Sequence, residues 1–206
     1  MNDTENRNKL LLKMYDQFFN DINRHITVVW QSVGVLIGAF AIFALTEKQI
    51  VSIDVATSLI IIIAGWLLAH LFDAGYWYNR NLVIIANIEK QFLLQNDLKN
   101  IHYYFGKHRK RNKMIKHLRI QFWLGIGVMI VVLSSHFIDR IVTGFSQPLS
   151  NFELKRSLPY LCLTVVIILL VRFKIGRNKR YNKFLQNSPG KIIDTNSIDY
   201  TLGHGA

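Results

Sequence analysis

The chain has 206 residues, half of them hydrophobic, and its 25 lysines and arginines against 13 acidic residues give a net charge of +12. A single cysteine, Cys162, excludes a disulfide framework within these residues. The apolar residues are gathered into runs that are too long for the core of an ordinary soluble domain of this size, which indicates a membrane protein.

Residues 1–25 are predicted to form a cytoplasmic amphipathic helix. Apolar side chains recur there at three- and four-residue spacing, at Leu11, Met14, Tyr15, Phe18 and Ile22. That spacing places them on one face of a helix. We expect this face to lie on the membrane or against neighbouring helices.

Four runs without a formally charged residue follow along the chain, at 26–46, 55–72, 120–138 and 157–171. A helix needs roughly 20 apolar residues to cross a hydrocarbon core that is ~30 Å thick. Lipid offers the backbone no hydrogen-bond partner, so each run is predicted to be a transmembrane helix. Helices one and two then fall within 26–72, and helices three and four within 120–173. The fourth run is the shortest, and it reaches residue 173 only if Arg172 turns its charge to the interface.

The distribution of lysine and arginine predicts the orientation of these helices. The N-terminal segment, the segment between helices two and three and the C-terminal segment hold 21 of the 25 basic residues. Only Lys48, Arg140, Lys155 and Arg156 lie in the two other loops. By the positive-inside rule we expect a multi-pass protein of the bacterial inner membrane with both termini in the cytoplasm.

Residues 73–119 are predicted to form a cytoplasmic helical hairpin. Apolar residues at 82, 85, 88 and 92 continue the pattern of helix two beyond the bilayer. The chain would turn back through 100–106, and a second helix over about 110–119 would lead into helix three. Residues 174–206 form a basic cytoplasmic tail, which either is disordered after a turn at 186–190 or adds a strand to a partner's sheet.

The densest basic cluster lies in this hairpin and consists of Lys107, Arg109, Lys110, Arg111 and Lys113. We expect it to face anionic lipid headgroups or a cytoplasmic protein partner. The aromatic residues 103–105 just before it keep nucleic acid as a less favoured alternative, because bases stack on aromatic side chains beside basic grooves.

Candidate chemistry is sparse. Arg111, the polar Asn112 and His117 match the spacing of HEPN-type ribonucleases, in which the histidine would act in acid–base catalysis and the arginine would stabilise phosphate charge. A chain this rich in basic residues meets such a pattern easily by chance. We find no metal-binding cluster and no phosphate-binding loop, so we expect no cofactor and a protein that is not an enzyme, with the ribonuclease as the alternative.

Polar and small residues in the apolar runs suggest further contacts. His70 with Asp73, and His136 with Asp139, lie three residues apart at helix ends, where interfacial anchoring competes with a functional pair. Gly34 and Gly38 form a GxxxG pattern in helix one, which would serve helix packing within the chain or between copies of it.

The layout resembles small multi-pass effectors of prokaryotic antiphage systems, such as SLATT-type and four-helix membrane effectors and the membrane components of retron and Kiwa systems. The resemblance lies in the exit of helix two, residues 76–90, and in the basic return, residues 102–117. It implies a homo-oligomeric effector that perturbs the inner membrane when a cytoplasmic partner senses infection. A housekeeping channel, a transporter accessory or a membrane scaffold is the alternative.

Overall fold

The computed structural model describes residues 3–93, 109–146, 148 and 153–188. Within that part of the chain every regular element is a helix and no strand occurs, which confirms the all-α class. Four α-helices follow one another: α1 (Asp3–Glu47), α2 (Ile53–Phe92), α3 (Lys116–His136) and α4 (Leu158–Gln186). Between α3 and α4 lie a π-helical turn (Phe137–Val142) and two 3₁₀ turns (Thr143–Ser146 and Leu154–Ser157).

Three stretches of the described chain are long and apolar enough to cross a membrane: Ile53–Phe92, Lys116–Phe145 and Leu154–Gln186. Three of the predicted spans therefore lie in suitable helices, and these include the fourth, whose uncharged run was shortest. Arg172 and Lys174 lie inside α4, which continues to Gln186, so those charges do not end the helix. In α1 only a shorter apolar stretch, Ile37–Glu47, is present among the described residues.

The described residues form two compact units. The apolar unit comprises the described residues of Val28–Asp73 and Met114–Gly176, and the polar unit comprises those of Met1–Thr27, Ala74–Lys113 and Arg177–Ala206. Helices α1, α2 and α4 contribute residues to both units, whereas α3 lies in the apolar unit alone. The predicted boundary after residue 25 is thus not a helix end, because α1 is continuous from Asp3 to Glu47.

All four helices contribute to the packing of the apolar unit. Ala39 of α1 packs with Ile60 of α2 and with Val128 and Val132 of α3. Gly65 of α2 lies against α4, where a Cβ added to it would stand 2.5 Å from Val166 Cγ1. Small residues at such points let helix backbones approach closely.

In the polar unit, the amphipathic face of α1 packs against the second half of α2. Ile22, Leu82 and Ile85 form a buried core, flanked by four half-buried aromatic side chains: Tyr15, Phe18, Phe19 and Tyr78. Of the predicted stripe, Met14 instead stays exposed. The Tyr15 hydroxyl donates a hydrogen bond to Glu89 Oε1 at 3.1 Å. Burial and the Glu89 carboxylate raise the pKa of Tyr15, so it remains a donor at neutral pH.

Residues 109–115 differ from the prediction, because α3 begins at Lys116 and not near residue 110. The side chain of Asn79 donates a hydrogen bond to the main-chain oxygen of Lys113 at 2.9 Å and so occupies a group that a helix would need. The predicted turn at 100–106 lies outside the described residues.

The link between α1 and α2 is a Schellman turn. Ile50 N donates to Leu45 O at 3.1 Å, and Gln49 N donates to Thr46 O at 3.0 Å. Gln49 has a φ of 56°, the left-handed conformation that favours glycine at this position. The helix therefore ends here although Gln49 is strained.

Candidate functional site

Asp54 lies in the first turn of α2 and is 1% exposed. Ser52 precedes the helix, and its Oγ accepts a hydrogen bond from Val55 N at 3.4 Å, the usual geometry of an N-cap. The positive end of the helix dipole favours a carboxylate in this turn. Local sequence thus favours a carboxylate at this position, although its burial also requires partners from other helices.

Two side chains from the end of α3 and the turn after it bind this carboxylate. His136 Nε2 lies 2.9 Å from Asp54 Oδ1. Arg140 Nε donates to Oδ1 and Arg140 Nη2 to Oδ2, both at 3.1 Å, which makes a bidentate pair. Both oxygens of Asp54 are therefore occupied.

The chain that leads into α4 completes the group. Tyr160 Oη lies 3.2 Å from His136 Nδ1, and Arg140 Nη2 donates to Glu153 Oε2 at 2.9 Å. Arg156 Nη1 donates to the main-chain oxygen of Arg140 at 3.4 Å. We call these six residues the Asp54 cluster: Asp54, His136, Arg140, Glu153, Arg156 and Tyr160.

The charges of the Asp54 cluster balance when His136 is neutral. Two carboxylates then face two guanidinium groups, and His136 donates through Nε2 to Asp54 and accepts through Nδ1 from the Tyr160 hydroxyl. A buried charge is tolerated only when it is paired and hydrogen-bonded. The arrangement therefore clamps the start of α2, the end of α3 and the start of α4 to one another.

The backbone widens where the cluster is built. α3 passes at His136 into the π-helical turn that carries Arg140, and π-helical turns are frequent at functional sites. In that turn Asp139 points outward, is exposed and accepts a hydrogen bond from Ser135 Oγ at 3.4 Å. His136 and Asp139 thus do not form the functional pair that was the alternative to interfacial anchoring, because their side chains have different partners. His70 is exposed and packs on Trp66, with 4.2 Å between the ring centroids.

Sequence reasoning missed Asp54 and Arg140 as site residues, although a signal for them exists. Asp54 directly precedes the second uncharged run and Arg140 lies two residues after the third, so two antiparallel neighbouring helices bring opposite charges to the same end. The sequence interpretation used these residues only as the limits of runs and in the count of basic residues.

The residues of the predicted basic cluster differ in their exposure. Arg109 is half-buried, its Nη1 donates to Asn79 Oδ1 at 3.3 Å, and its guanidinium lies 5.7 Å from the ring centre of Tyr78. Lys110, Arg111 and Lys113 are exposed. Lys107 lies outside the described residues. Arg109 is thus a packing residue of the polar unit, and three of the five predicted side chains are presented to the surroundings.

The two residues of the predicted ribonuclease pattern, Arg111 and His117, belong to different units. Arg111 is exposed in the polar unit, and His117 lies in the first turn of α3 in the apolar unit, with its Nε2 buried. Asn112, the polar residue of the pattern, donates a hydrogen bond to Asn178 Oδ1 at 3.2 Å and so serves the interior of the polar unit. The catalytic role stays a prediction, and replacing His117 by Ala would test it.

The predicted helix-packing glycines do not lie at close helix contacts within the described chain. A Cβ added to Gly34 or Gly38 would meet no atom within 4 Å, whereas Gly65 and Gly125 lie against Val166 and Leu68. The predicted packing role of Gly34 and Gly38, within the chain or between copies, stays a prediction. Among the described residues, no group of three or more histidine, cysteine, aspartate or glutamate side chains could hold a metal ion.

No family model matches the chain, and no curated protein or solved structure matches it.

Proposed function

We propose that the chain is a four-span protein of the bacterial inner membrane, with both termini and the 73–119 segment in the cytoplasm. This proposal rests on the four helical segments that make up the apolar unit. Each of the four helices contributes a segment of about 20 residues, which is about the length that crosses a hydrocarbon core. The α1 segment packs through Ala39 against the same residues of α2 and α3 that form the core of the unit.

The outer surface of the apolar unit supports the same proposal. Large apolar side chains are exposed on every one of its helices, among them Ile37, Trp66, Ile130 and Leu161. A soluble protein rarely exposes so many large apolar side chains on every helix of a compact unit. Lipid or other copies of the chain would cover it.

The proposed role is that of an effector of an antiphage system, which oligomerises and perturbs the membrane under the control of a cytoplasmic partner. Helix α4 is the best-suited surface for oligomerisation, because only 11% of its apolar stretch is buried within the chain, against 56% for α2. The exposed parts of the polar unit would receive the partner.

Membrane potential in phage-challenged cells that carry the chain with its neighbouring genes tests this role. We expect depolarisation on infection and reduced phage plating. Leu161→Trp should abolish both by blocking contacts of α4 between copies, whereas Ile130→Trp on α3, with nearly the same exposure (58% against 62%), should not. Cross-linking of Leu161→Cys in a Cys162→Ser chain should give a dimer. Unchanged potential and plating with the intact chain would contradict the role.

A membrane scaffold or transporter accessory is the second candidate. It is favoured by the Asp54 cluster, whose balanced charges and occupied hydrogen-bonding groups suit a fixed clamp better than a moving part. A growth or ion-uptake defect of the deletion in uninfected cells, with no effect on phage plating, would favour this candidate over the effector.

A further inference from the structure

The short segment 109–113 is held at both of its ends. The main-chain oxygen of Arg109 accepts a hydrogen bond from the Tyr181 hydroxyl at 2.8 Å, and that of Lys113 accepts one from Asn79 Nδ2 at 2.9 Å. Tyr181 and Asn79 are each fully buried. A segment without helical structure is thus fixed to α2 and α4 by interior side chains.

A three-residue turn inside the segment directs one side chain inward and leaves its neighbours exposed. Lys113 N donates to Arg111 O at 2.9 Å, which closes a turn centred on Asn112. The Asn112 side chain points inward, where its Oδ1 accepts from Asn79 Nδ2 at 2.9 Å and its Nδ2 donates to Asn178 Oδ1 at 3.2 Å. Arg111 and Lys113 flank this inward residue and are exposed, as is Lys110.

The three exposed cations are not neutralised by their described neighbours. Within the described ranges, no carboxylate lies in salt-bridge distance of Lys110, Arg111 or Lys113. Arg109 differs, because its guanidinium is used inside the unit by Asn79 and Tyr78. The turn therefore presents one guanidinium fork and two ammonium groups on a fixed backbone.

We propose that Lys110, Arg111 and Lys113 form a binding site for the phosphodiester headgroup of an anionic phospholipid. A guanidinium offers a phosphate two parallel donors, and a lysine adds a compact charge. Lys113 lies three residues before Lys116, where the candidate span Lys116–Phe145 begins, and three residues reach ~10 Å at most. Exposed Ile120 and Trp123 follow on α3, as expected for a helix that enters lipid.

The described aromatic side chains beside the segment favour lipid over nucleic acid, while residues 103–105 lie outside the described residues. Single-stranded nucleic acid is bound by stacking of its bases on exposed aromatic rings next to basic grooves. Here Tyr181 is buried and its hydroxyl is used to hold Arg109, while Tyr78 packs in the core beneath Arg109. Among the described neighbours, the rings thus serve the interior and leave only cations at the surface.

Native mass spectrometry of the full chain in a neutral detergent, titrated with phosphatidylglycerol, tests the site. Each basic residue near an anionic lipid surface contributes about fivefold, so K110Q/R111Q/K113Q should bind about a hundredfold more weakly. R111Q alone should bind about fivefold more weakly. The matched control is K179Q/R180Q/K183Q, which removes the same charge from exposed positions of α4 in the same unit and should bind nearly as the parent does. Equal losses in the two triple variants, or equal binding of phosphatidylcholine, would overturn the proposal.

Two further arms test the fixed arrangement and the class of ligand. N112A keeps all the charges but removes the inward anchor, so it should weaken phosphatidylglycerol binding, and unchanged binding would contradict a built site. An oligoribonucleotide should not displace the lipid, and displacement would assign the site to nucleic acid. The proposal takes the cytoplasmic position of 109–113 from the proposed function. The detergent assay does not measure membrane potential, so loss of lipid binding and absence of depolarisation would be separate failures.

Discussion

The two halves of α2 differ in what surrounds them, although they belong to one continuous helix. The first half, in the apolar unit, buries Asp54 and Thr57 and exposes Leu59, Ile62 and Trp66. The second half, in the polar unit, buries Leu82, Val83 and Ile85 together with Asn79, Asn81 and Glu89. The first half also buries Ile60, Ile61 and Leu68, so both halves cover an apolar face, but the first half leaves further large apolar side chains exposed. The exposed apolar side chains of the first half are the surface that the proposed membrane position would cover with lipid.

The two units also use buried polar groups differently. The apolar unit gathers two acidic and two basic side chains around His136 at one end, whereas the polar unit holds 109–113 through neutral amides and a tyrosine hydroxyl. Removing a partner from a buried ion pair leaves an uncompensated charge and costs more than the loss of a neutral hydrogen bond. The two units should therefore respond to substitution with different magnitudes.

The largest effect is expected for Asp54→Asn, which removes the charge that pairs with Arg140 and an oxygen that is hydrogen-bonded to His136. We expect a loss of about 3 kcal/mol in the free energy of unfolding, measured by detergent titration in mixed micelles. The matched control is Asp139→Asn, at an exposed position on the π-helical turn, which should change that free energy by less than about 0.5 kcal/mol. Similar losses at the two positions would contradict the clamp.

Asn79→Ala should have the next largest effect, and it should act on the polar unit. The substitution removes three hydrogen bonds, to Asn112, Lys113 and Arg109, and we expect it to cost about 2 kcal/mol. Hydrogen exchange should show faster exchange of the amides in 109–113 and no change around Asp54. Faster exchange throughout both units would show that they do not respond separately. Asn6→Ala, at an exposed position of α1, is the control.

Gly65→Ala tests the close approach of α2 and α4 in the apolar unit. The new methyl group would meet the stiff, β-branched Val166, so we expect a loss of about 1–2 kcal/mol, largely restored by Val166→Ala. Gly34→Ala should instead be neutral or stabilise α1 by up to about 1 kcal/mol, since no atom of the described residues lies within 4 Å of its added Cβ. Thermal unfolding in detergent measures these three variants. A loss at Gly34 that equals the loss at Gly65 would contradict the packing described for this unit.

The smallest expected effect is an increase in stability. Gln49→Gly should stabilise the chain by about 1 kcal/mol, because glycine adopts a positive φ without the steric cost that glutamine bears. The same thermal measurement checks it, and Lys48→Gly, one residue earlier, should lower the unfolding temperature. A gain at both positions would indicate that flexibility of the loop is responsible.

Much of the helix content could be predicted because uncharged runs of about 20 residues are typical of helices that cross a membrane and are rare in soluble domains of this size. Counting charges nevertheless made the fourth run look short, since Arg172 and Lys174 lie inside α4. The continuation of α2 past residue 73 was predicted from its apolar spacing and is confirmed to Phe92.

The remaining features depend on contacts between distant residues. Arg140 and Asp54 are 86 positions apart, so only the packing of α2 beside α3 reveals their pairing. Residues 110–115 have the composition of a helix, but Asn79 binds the Lys113 main-chain oxygen and Asn112 points inward. These are tertiary effects that override local preference.

The measurement that tests the four-span proposal most directly is labelling by a membrane-impermeant maleimide in intact cells, with Cys162→Ser as the background. If the α1 segment of the apolar unit spans the membrane, Gln49→Cys is labelled from outside and Asn6→Cys only after permeabilisation. Both positions are exposed, so labelling reports their side of the membrane. Labelling of Asn6→Cys in intact cells, together with Gln49→Cys, would show that α1 does not cross and would contradict the account.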